Sequence, residues 1–213
     1  MEGAFVLNIV DDYLATAKGK ELLNALDYEY ENNIIYPQKK DLFKAFKLCE
    51  IPKVVIIGQD PYHDGSADGL AFSSSIKIPP SLRNIFKEIL NDYPNEAVFL
   101  QSDLSYLARQ GVALLNASLS VQKSKPNSHK HLWEDFFLYV IQRINNDYDN
   151  LVFMLWGSFA NNYAKYIDTK RHLILSSAHP SPLARGKFFN NQHFLKCNEY
   201  LKSKNKSLIN WLE

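Results

Sequence analysis

The stretch "VVIIGQDPYHDG" (residues 54–65) places a short apolar run directly before a cluster of polar and turn-forming residues. The run 54–57 is continuous in β-branched residues, which is typical of a strand covered on both faces. Gly58 and Pro61 then end the strand pattern. A structural turn needs these two residues and one Asp or Asn, but not the glutamine, tyrosine and histidine beside them. The stretch by itself therefore leaves open a plain turn and a functional loop.

Composition and charge limit the class of protein. A chain of 213 residues fits one large domain or two small ones, and with 46% hydrophobic and 13% aromatic residues it can fill a substantial core. The formal net charge of +1 and the isoelectric point near 7.7 argue against a surface coated with positive charge. A polyanionic partner would therefore have to bind at a local patch.

Cysteine usage and the N-terminus indicate an intracellular protein. Cys49 and Cys197 are too few for a four-thiolate iron–sulfur cluster or a cysteine zinc site, and their scarcity suits a reducing compartment. Residues 1–15 contain an early acid, no basic region and too short an apolar stretch for a signal peptide. No window approaches the length and apolarity of a transmembrane helix. We therefore expect a soluble, cytoplasmic protein with no membrane partner.

Strand-like and helix-like segments alternate along the chain. Four apolar runs have the character of buried strands: Val54–Ile57, Val112–Leu115, Leu151–Trp156 and His172–Leu175. Helical spacing marks residues 39–49, 81–90, 103–111, 132–144 and 190–203, and more ambiguously 158–167. This alternation predicts an α/β fold, a three-layer α/β/α arrangement with a central four-stranded, mainly parallel twisted sheet. No repeat or linker interrupts the pattern, so a single domain over residues 1–213 is expected.

Each predicted strand leads into polar, loop-forming residues. The four loops begin at Gln59, Asn116, Gly157 and Ser176. In an open parallel sheet the carboxyl ends of the strands lie at one edge, where such folds bind their ligands. One shared site explains this pattern better than four unrelated turns, so we expect a functional site at that edge.

The side chains expected at this edge suit a planar heterocycle. They are one carboxylate, two imidazoles, one carboxamide and two aromatic rings: Asp60, His63, His179, Asn116, Tyr62 and Phe72. The amide can read the polar edge of a base, a ring can stack on its face, and the acid can handle charge at a centre attacked by water. The chain has no G-x-S-x-G elbow, phosphate loop or dinucleotide motif. The acid and the two histidines could ligate a metal, but no His-x-x-x-His or glutamate pair accompanies them, so no metal is predicted.

These motifs resemble those of the family 1 uracil-DNA glycosylases. "GQDPYH" (58–63) is similar to the family's water-activating motif and "HPSPL" (179–183) to its intercalation loop. Further matches, in the family's order, are "GLAFS" (69–73), "IPPSL" (78–82), "LLNASLSV" (114–121) and "LWGS" (155–158), with weaker likeness in "IIYPQKKDLFKAF" (34–46) and "INW" (209–211). The resemblance covers nearly the whole chain. It implies a DNA repair enzyme that flips uracil out of DNA and hydrolyses its N-glycosidic bond, leaving an abasic site for base excision repair.

The resemblance implies catalytic roles for three residues. Asp60 would orient the attacking water and stabilise positive charge on the deoxyribose as the glycosidic bond breaks. His63 would help to place the water and the carboxylate. His179 would donate a hydrogen bond to uracil O2 as negative charge develops on the leaving base. No cofactor is implied.

Four further residues would bind the base in an enzyme of this family. Asn116 would pair with O4 and N3–H of uracil, and Phe72 would stack on the ring. Tyr62 would stand against C5 and exclude the methyl group of thymine, while the Gln59 backbone would contact the base.

Short loops, rather than a basic surface, would grip the DNA. Ser81, Gly157, Ser158 and Ser181 would clamp phosphates, and Leu183 would fill the gap left by the flipped nucleotide. Basic residues beside these loops could steer DNA: Lys123, Lys125, Lys130, Arg185 and Lys187. The implied partners are single- and double-stranded DNA containing uracil and a protein inhibitor that mimics DNA, and a monomer is expected.

The sequence departs from the family pattern in two loops. The stretch between His63 and Phe72 is shorter than usual, with Asp68 where a histidine is common. The segment after Leu183 is also shortened, and Ala184 stands where a serine often contacts a phosphate. These differences concern the grip on DNA and the loop geometry more than the chemistry at the base.

Three other functions share parts of this pattern. A DNA-binding subunit that has lost catalysis is disfavoured because Asp60, Asn116 and His179 are all present. A mismatch-specific glycosylase tends to carry asparagine in place of the acid that is Asp60 here. A nucleoside hydrolase would leave the loop of Leu183 and the phosphate loops unexplained.

Overall fold

A four-stranded parallel sheet forms the centre of the protein in the computed structural model, which describes residues 6–96 and 101–212. In chain order the strands are β1 (Ile35–Tyr36), β2 (Val54–Gly58), β3 (Val112–Asn116), β4 (Val121–Gln122), β5 (Val152–Trp156) and β6 (Leu173–Ser177). The helices are α1 (Val6–Leu14), α2 (Ala17–Asn32), α3 (Lys44–Leu48), α4 (Pro80–Asp92), α5 (Ser105–Arg109), α6 (Lys130–Asp147), α7 (Gly157–Asn161) and α8 (His193–Ser203). The sheet order is β3-β2-β5-β6, and β1 pairs with β4 as a separate antiparallel ladder.

The composition of the strands explains their place in the fold. Every residue of β2, β3 and β5 is buried. These strands are nearly continuous apolar runs without a polar face that could meet water, so both of their faces need a cover of helices. The strand β6 lies at an edge of the sheet and is partly exposed. The predicted α/β fold is confirmed, and each neighbouring pair of strands in the central sheet is parallel.

The predicted segments differ from the observed ones mainly at their ends. The fourth strand was expected at 172–175 but runs from Leu173 to Ser177. His172 stays outside the ladder because its backbone N–H donates to the Asp168 carbonyl (3.0 Å) in the preceding turn, and the ladder begins with Leu173. The ambiguous segment 158–167 divides into α7 and a 3-10 turn over Ala164–Tyr166.

Two N-terminal helices and the β1–β4 ladder are additions to the predicted pattern. Helix α1 buries Val6, Ile9, Val10 and Tyr13, which share one face at helical spacing. Helix α2 begins after Thr16, whose hydroxyl accepts the Gly19 N–H (3.1 Å) as an N-terminal cap. No helix in the described part of the chain is long and apolar enough to cross a membrane. The predicted range 1–213 includes residues 1–5, 97–100 and 213, which lie outside the described residues.

An aromatic cluster joins the N-terminal helices to the rest of the core. Phe136 of α6 is fully buried, and its ring lies edge-to-face against Tyr13 of α1 (5.2 Å between centroids) and Phe46 of α3 (5.9 Å). Trp133, one turn earlier on α6, lies 5.3 Å from the same ring. Edge-to-face pairs of buried rings add to the free energy of burial, so this one side chain couples three helices.

Replacing the central ring of this cluster should destabilise the fold. We expect Phe136→Ala to lower the free energy of unfolding by about 3–5 kcal/mol, because it removes a large buried side chain and leaves a cavity. The matched control is Tyr28→Ala on α2, where the side chain is 64% exposed and a change within about 0.5 kcal/mol is expected. Urea unfolding of both variants measures the difference, and equal stabilities would contradict the assigned role.

Candidate active site

The carboxyl ends of the parallel strands open into a cleft of about 490 Å³. It is lined by ten of the twelve residues that the sequence assigns to the site: Gln59, Asp60, Tyr62, His63, Phe72, Ser81, Asn116, His179, Ser181 and Leu183. The other two, Gly157 and Ser158, form the start of α7, directly after β5. The expected gathering of the loops at one edge is therefore observed, and the parallel register of the sheet is its cause.

The loops after β2 and β3 are joined by backbone hydrogen bonds. The N–H groups of Ala117 and Ser118 donate to the carbonyls of Gly58 and Gln59, each at 3.0 Å. Gly58 and Asn116 are partners in the ladder. A Cβ atom at position 58 would lie 2.2 Å from Asn116 Oδ1, so only glycine leaves room for that amide. The two loops thus form one unit that holds the amide at the mouth of the strands.

Asp60 is held by the loop that follows β4. Its Oδ2 accepts the backbone N–H of Asn127 at 2.8 Å. Burial raises the pKa of Asp60, while the Asn127 N–H and the nearby His63 oppose that rise. The position of this carboxylate is therefore fixed by a donor that favours its ionised form.

Phe72 adopts an unusual backbone conformation at the wall of the cleft. Its φ of 65° is in the left-handed region, which costs a residue with a Cβ atom about 1–2 kcal/mol. Its ring lies edge-to-face against Trp156 at 5.6 Å and is tilted against the His179 ring at 5.9 Å. A strained position persists only where the surroundings over-determine it. The ring is therefore held by its neighbours and by the loop on either side of it.

Asp68 organises the loop that carries Phe72. Its buried carboxylate accepts the hydroxyl of Ser73 (2.6 Å) and the Leu70 N–H (3.2 Å), and Lys44 Nζ lies 3.4 Å away. These donors lie on both sides of Phe72 in the chain. Asp68, where the resemblance leads one to expect a histidine, thus closes the loop around the aromatic residue.

The Tyr62 side chain lines the cleft through packing and not through hydrogen bonds. Its hydroxyl is buried and has no hydrogen-bond partner in the described part of the chain. Burial is also the main reason why the pKa of Tyr62 is raised. The ring follows the buried Pro61, whose fixed φ stiffens the turn after β2.

The hydrogen bonding of His179 defines which ring nitrogen can donate. Nδ1 accepts the backbone N–H of Ser181 at 3.0 Å. Burial lowers the pKa of His179, so the ring is neutral at pH 7 and carries its proton on Nε2. A Cβ atom at Gly157 would be only 2.9 Å from the His179 Cβ, so the glycine allows His179 to pack closely against the start of α7. The structure therefore presents a neutral imidazole donor.

Leu183, the predicted wedge residue, lies at the rim of the cleft. Leu183 is 91% exposed, the largest exposure among the large apolar side chains of the described residues. The segment before it is held to α4, because Asn84 Nδ2 donates to the Pro180 carbonyl at 2.7 Å. A single exposed leucine needs no explanation by itself, but its place at the rim of the cleft agrees with the predicted wedge position.

Four residues that support the site were not predicted to do so: Asn84, Asn127, Trp156 and, as a structural anchor, Asp68. Asn127 lies in a Pro-Asn-Ser segment that reads as a turn, and Asn84 reads as a polar position on a helix. Their partners lie 67 and 96 residues away in the chain. No local pattern could have indicated these contacts.

The described residues contain no group of three or more His, Cys, Asp or Glu side chains that is arranged to hold a metal ion. Cys49 and Cys197 are both buried and free. Burial raises the pKa of each thiol to about 12, so neither is a ready nucleophile or metal ligand.

Known proteins with similar structures share this architecture over most of their length. The crystal structure of mimivirus uracil-DNA glycosylase matches with a TM-score of 0.87 at 27% identity, covering 96% of this chain and 85% of that one. A variant of the same viral enzyme, in complex with UGI, matches with a TM-score of 0.88 at 28% identity, covering 96% of this chain and 86% of that one. The similarity of fold thus extends from the sheet to the surrounding helices.

Sequence comparison gives nearer relatives. The uracil-DNA glycosylase of Campylobacter jejuni subsp. doylei is 48% identical over 198 residues, which is 90% of this chain and 84% of that protein. The uracil-DNA glycosylase of Campylobacter hominis is 51% identical over 187 residues, 83% of this chain and 77% of that one. The model of the uracil DNA glycosylase superfamily matches residues 46–202, which include every predicted site residue. On this likeness in sequence and fold, the chain belongs to the uracil DNA glycosylase superfamily.

Proposed function

We propose that this protein is a uracil-DNA glycosylase of the family 1 type, which removes uracil from DNA by hydrolysis and leaves an abasic site. The observation that carries the proposal is the cleft itself, where one carboxylate, one neutral imidazole donor, one amide and two aromatic rings converge. The names of the relatives support the same substrate. The direct test is release of free uracil from an oligonucleotide that contains it. A DNA-binding subunit that has lost catalysis would bind the oligonucleotide but release no uracil.

The base would be recognised by shape and by one amide. Asn116 can pair with O4 and N3–H of uracil, and the amide lies against Gly58, which limits its freedom to move. Phe72 would stack on the base, and the Gln59 backbone would bind it. Tyr62 would stand where thymine carries its methyl group, because the Watson–Crick edges of the two bases are the same.

Bond cleavage would divide its charges between two sides of the cleft. Water attacks C1′ of the deoxyribose, the C1′–O bond forms, and the C1′–N1 bond breaks with its electron pair leaving on the uracil. The Asp60 carboxylate would stabilise the positive sugar and orient the water, with His63 beside it, and would take up the proton of that water for transfer to solvent. The Nε2–H of His179 would donate to uracil O2 as negative charge develops there. The preorganised donor and acceptor need no metal or cofactor.

Flipping the nucleotide would depend on phosphate contacts and one apolar wedge. Extrusion of a base costs a few kcal/mol. Ser81, Ser181 and the start of α7 at Gly157 and Ser158 would offset part of that cost by binding phosphates. Leu183 would fill the vacated stack, which suits its exposure of 91%.

The proposed partners follow from this chemistry. They are single- and double-stranded DNA containing uracil, bound by a monomer in the cytoplasm. A protein inhibitor that mimics DNA would occupy the same cleft, and the complex of a mimivirus relative with UGI supports this proposal. A surface with a net charge of only +1 means that such binding depends on local contacts in the cleft.

Removal of the Asp60 charge should abolish most catalysis and spare binding. We expect Asp60→Asn to reduce kcat by about 10²–10⁴-fold, while the affinity for uracil-containing DNA changes little. Single-turnover uracil release and DNA binding are measured side by side, with EDTA present throughout. A wild-type activity that disappears in EDTA and returns with a divalent ion would contradict the proposed roles.

The charge state of the two catalytic groups predicts the pH profile. The pKa of Asp60 is raised above the usual 3.8, so kcat/KM should fall as the pH drops through that raised value. The pKa of His179 is lowered from 6.5, so its ring should stay neutral down to a pH below 6.5. Imidazole ¹⁵N NMR should show the proton on Nε2 at pH 7. A His179 ring protonated at pH 7, or activity that rises steadily toward pH 4, would disprove the assignment.

Tyr62 should decide between uracil and thymine. One buried methyl group is worth about 1 kcal/mol, so an open apolar pocket would favour thymine and only a steric wall can exclude it. We expect Tyr62→Ala to release thymine at a detectable rate and to lower uracil release about tenfold, because the base is held less firmly. Matched oligonucleotides with uracil or thymine at one position give both rates. If the variant keeps its uracil activity and releases no thymine, another group guards C5.

A further inference from the structure

The segment of residues 179–192, here called the wedge loop, is attached at both of its ends to one helix. Near its start, the Pro180 carbonyl accepts a hydrogen bond from Asn84 Nδ2 at 2.7 Å. At its end, the Glu88 carboxylate accepts the backbone N–H groups of residues 190, 191 and 192 at 2.9, 2.7 and 3.2 Å. Both anchors belong to α4. The wedge loop is therefore held between two points one helical turn apart.

The anchors share the face of α4 that begins at the cleft. Ser81 lines the cleft, and Asn84, Glu88 and Asp92 follow at intervals of three and four residues, the spacing of one helix face. Asp92 Oδ2 accepts the N–H groups at positions 194 and 195 (3.2 and 3.3 Å), in the first turn of α8. One rigid helix thus connects a predicted phosphate contact, the wedge loop and the helix that follows it.

Glu88 is the strongest of these anchors. Its side chain is fully buried. Among the described residues it forms no ion pair, and its charge is met by the backbone N–H groups and by Asn91 Nδ2 at 3.3 Å. Asn190 and Gln192 have φ values of 62° and 58°, so the backbone curls around the carboxylate as it does around a bound anion. Charge-assisted bonds of this kind fix position more firmly than neutral ones.

The exposed part of the loop depends on these anchors for its position. Leu183 is 91% exposed and has little packing of its own to hold it. Behind it, Phe188 is buried against Trp156 at 5.3 Å, which supports the loop from inside the protein. The position of the Leu183 side chain is therefore set by the Phe188 contact and by the hydrogen bonds at the two ends of the loop.

We propose that Asn84 and Glu88 are positioning residues for base flipping, which hold the wedge loop on α4 so that Leu183 enters the duplex in register with the phosphate at Ser81. This inference rests on the proposed function. Asp60, Phe72 and Asn116 lie on other loops. His179, at the start of the wedge loop, is held by the Ser181 N–H and packs against Gly157, so loss of the Glu88 bonds at the other end leaves the chemistry at the base in place. The effect of Glu88 should therefore be larger on duplex DNA, where a stack has to be refilled, than on single strands.

The test compares Glu88→Gln with wild type on single- and double-stranded oligonucleotides that contain one uracil. The amide keeps the size of the side chain but loses the charge and turns N–H groups toward the backbone donors. We expect kcat/KM on duplex to fall about tenfold more than on single strands, as a displaced wedge would require. The matched control is Glu199→Gln, an exposed acid on α8, which should leave the ratio unchanged.

A double-mutant cycle with Leu183→Ala separates positioning from a general loss of structure. When the wedge is already absent, Glu88→Gln should cause no further loss specific to duplex. Asn84→Ala, which removes one hydrogen bond from a half-buried side chain, should show the same dependence at about threefold, and it serves if Glu88→Gln does not fold. Equal losses on both substrates, or an undiminished duplex effect without the leucine, would overturn the inference. Absence of uracil release by the wild type would instead overturn the proposed function.

Discussion

The parallel pairing of β2 with β3 brings Gly58 opposite Asn116, and the site depends on this contact. Parallel strands end at the same edge of a sheet, so the two loops that follow start side by side. The missing side chain at Gly58 leaves room for the amide, and two backbone hydrogen bonds then join the loops. The sheet therefore brings the loops of Asp60 and Asn116 together, and the loop hydrogen bonds fix the two side chains.

Backbone N–H groups, more than basic side chains, hold the carboxylates of this region. Asp60 accepts from Asn127, and Glu88 accepts from three consecutive N–H groups of the wedge loop. Asp68 is a mixed case, because it accepts from Ser73 and Leu70 while Lys44 lies 3.4 Å away. A backbone N–H group satisfies a carboxylate without the help of a flexible lysine or arginine side chain, and it fixes its own chain segment at the same time. Such anchors suit a protein of net charge +1 whose proposed ligand is a polyanion.

Residues from distant parts of the chain support the site through contacts with one buried ring, that of Trp156. Trp156 at the end of β5 contacts Phe72 at the wall of the cleft and Phe188 in the wedge loop. Its indole N–H donates to His193 Nδ1 (3.0 Å) at the start of α8. One buried ring thus links Phe72, the proposed stacking residue, to the wedge loop. A change in this ring would disturb both segments, whereas the hydrogen bonds of Glu88 to the backbone reach only the end of the wedge loop.

Local patterns in the sequence determined the type and order of the main elements. The apolar runs at 54–57, 112–115 and 151–156 became the central strands, and the alternation with helices was enough to predict a parallel sheet and a site at its carboxyl edge. The motifs around Asp60 and His179 named the family that the comparisons then supported. These properties follow from neighbouring residues, because periodicity and turn chemistry act over a few positions.

Only the tertiary structure decided which partners hold the site together. The bond from Asn127 to Asp60 spans 67 residues, and that from Asn84 to Pro180 spans 96. Trp156 meets Phe72 and Phe188, which lie 84 and 32 residues away in the chain, and Glu88 meets the backbone of residues 190–192. Helices α1 and α2 were not predicted although Val6, Ile9, Val10 and Tyr13 have helical spacing, and only the structure shows that both helices pack against α6. Hydrogen bonds and packing between distant segments have no period in the sequence, so they exist only once the sheet has brought those segments together.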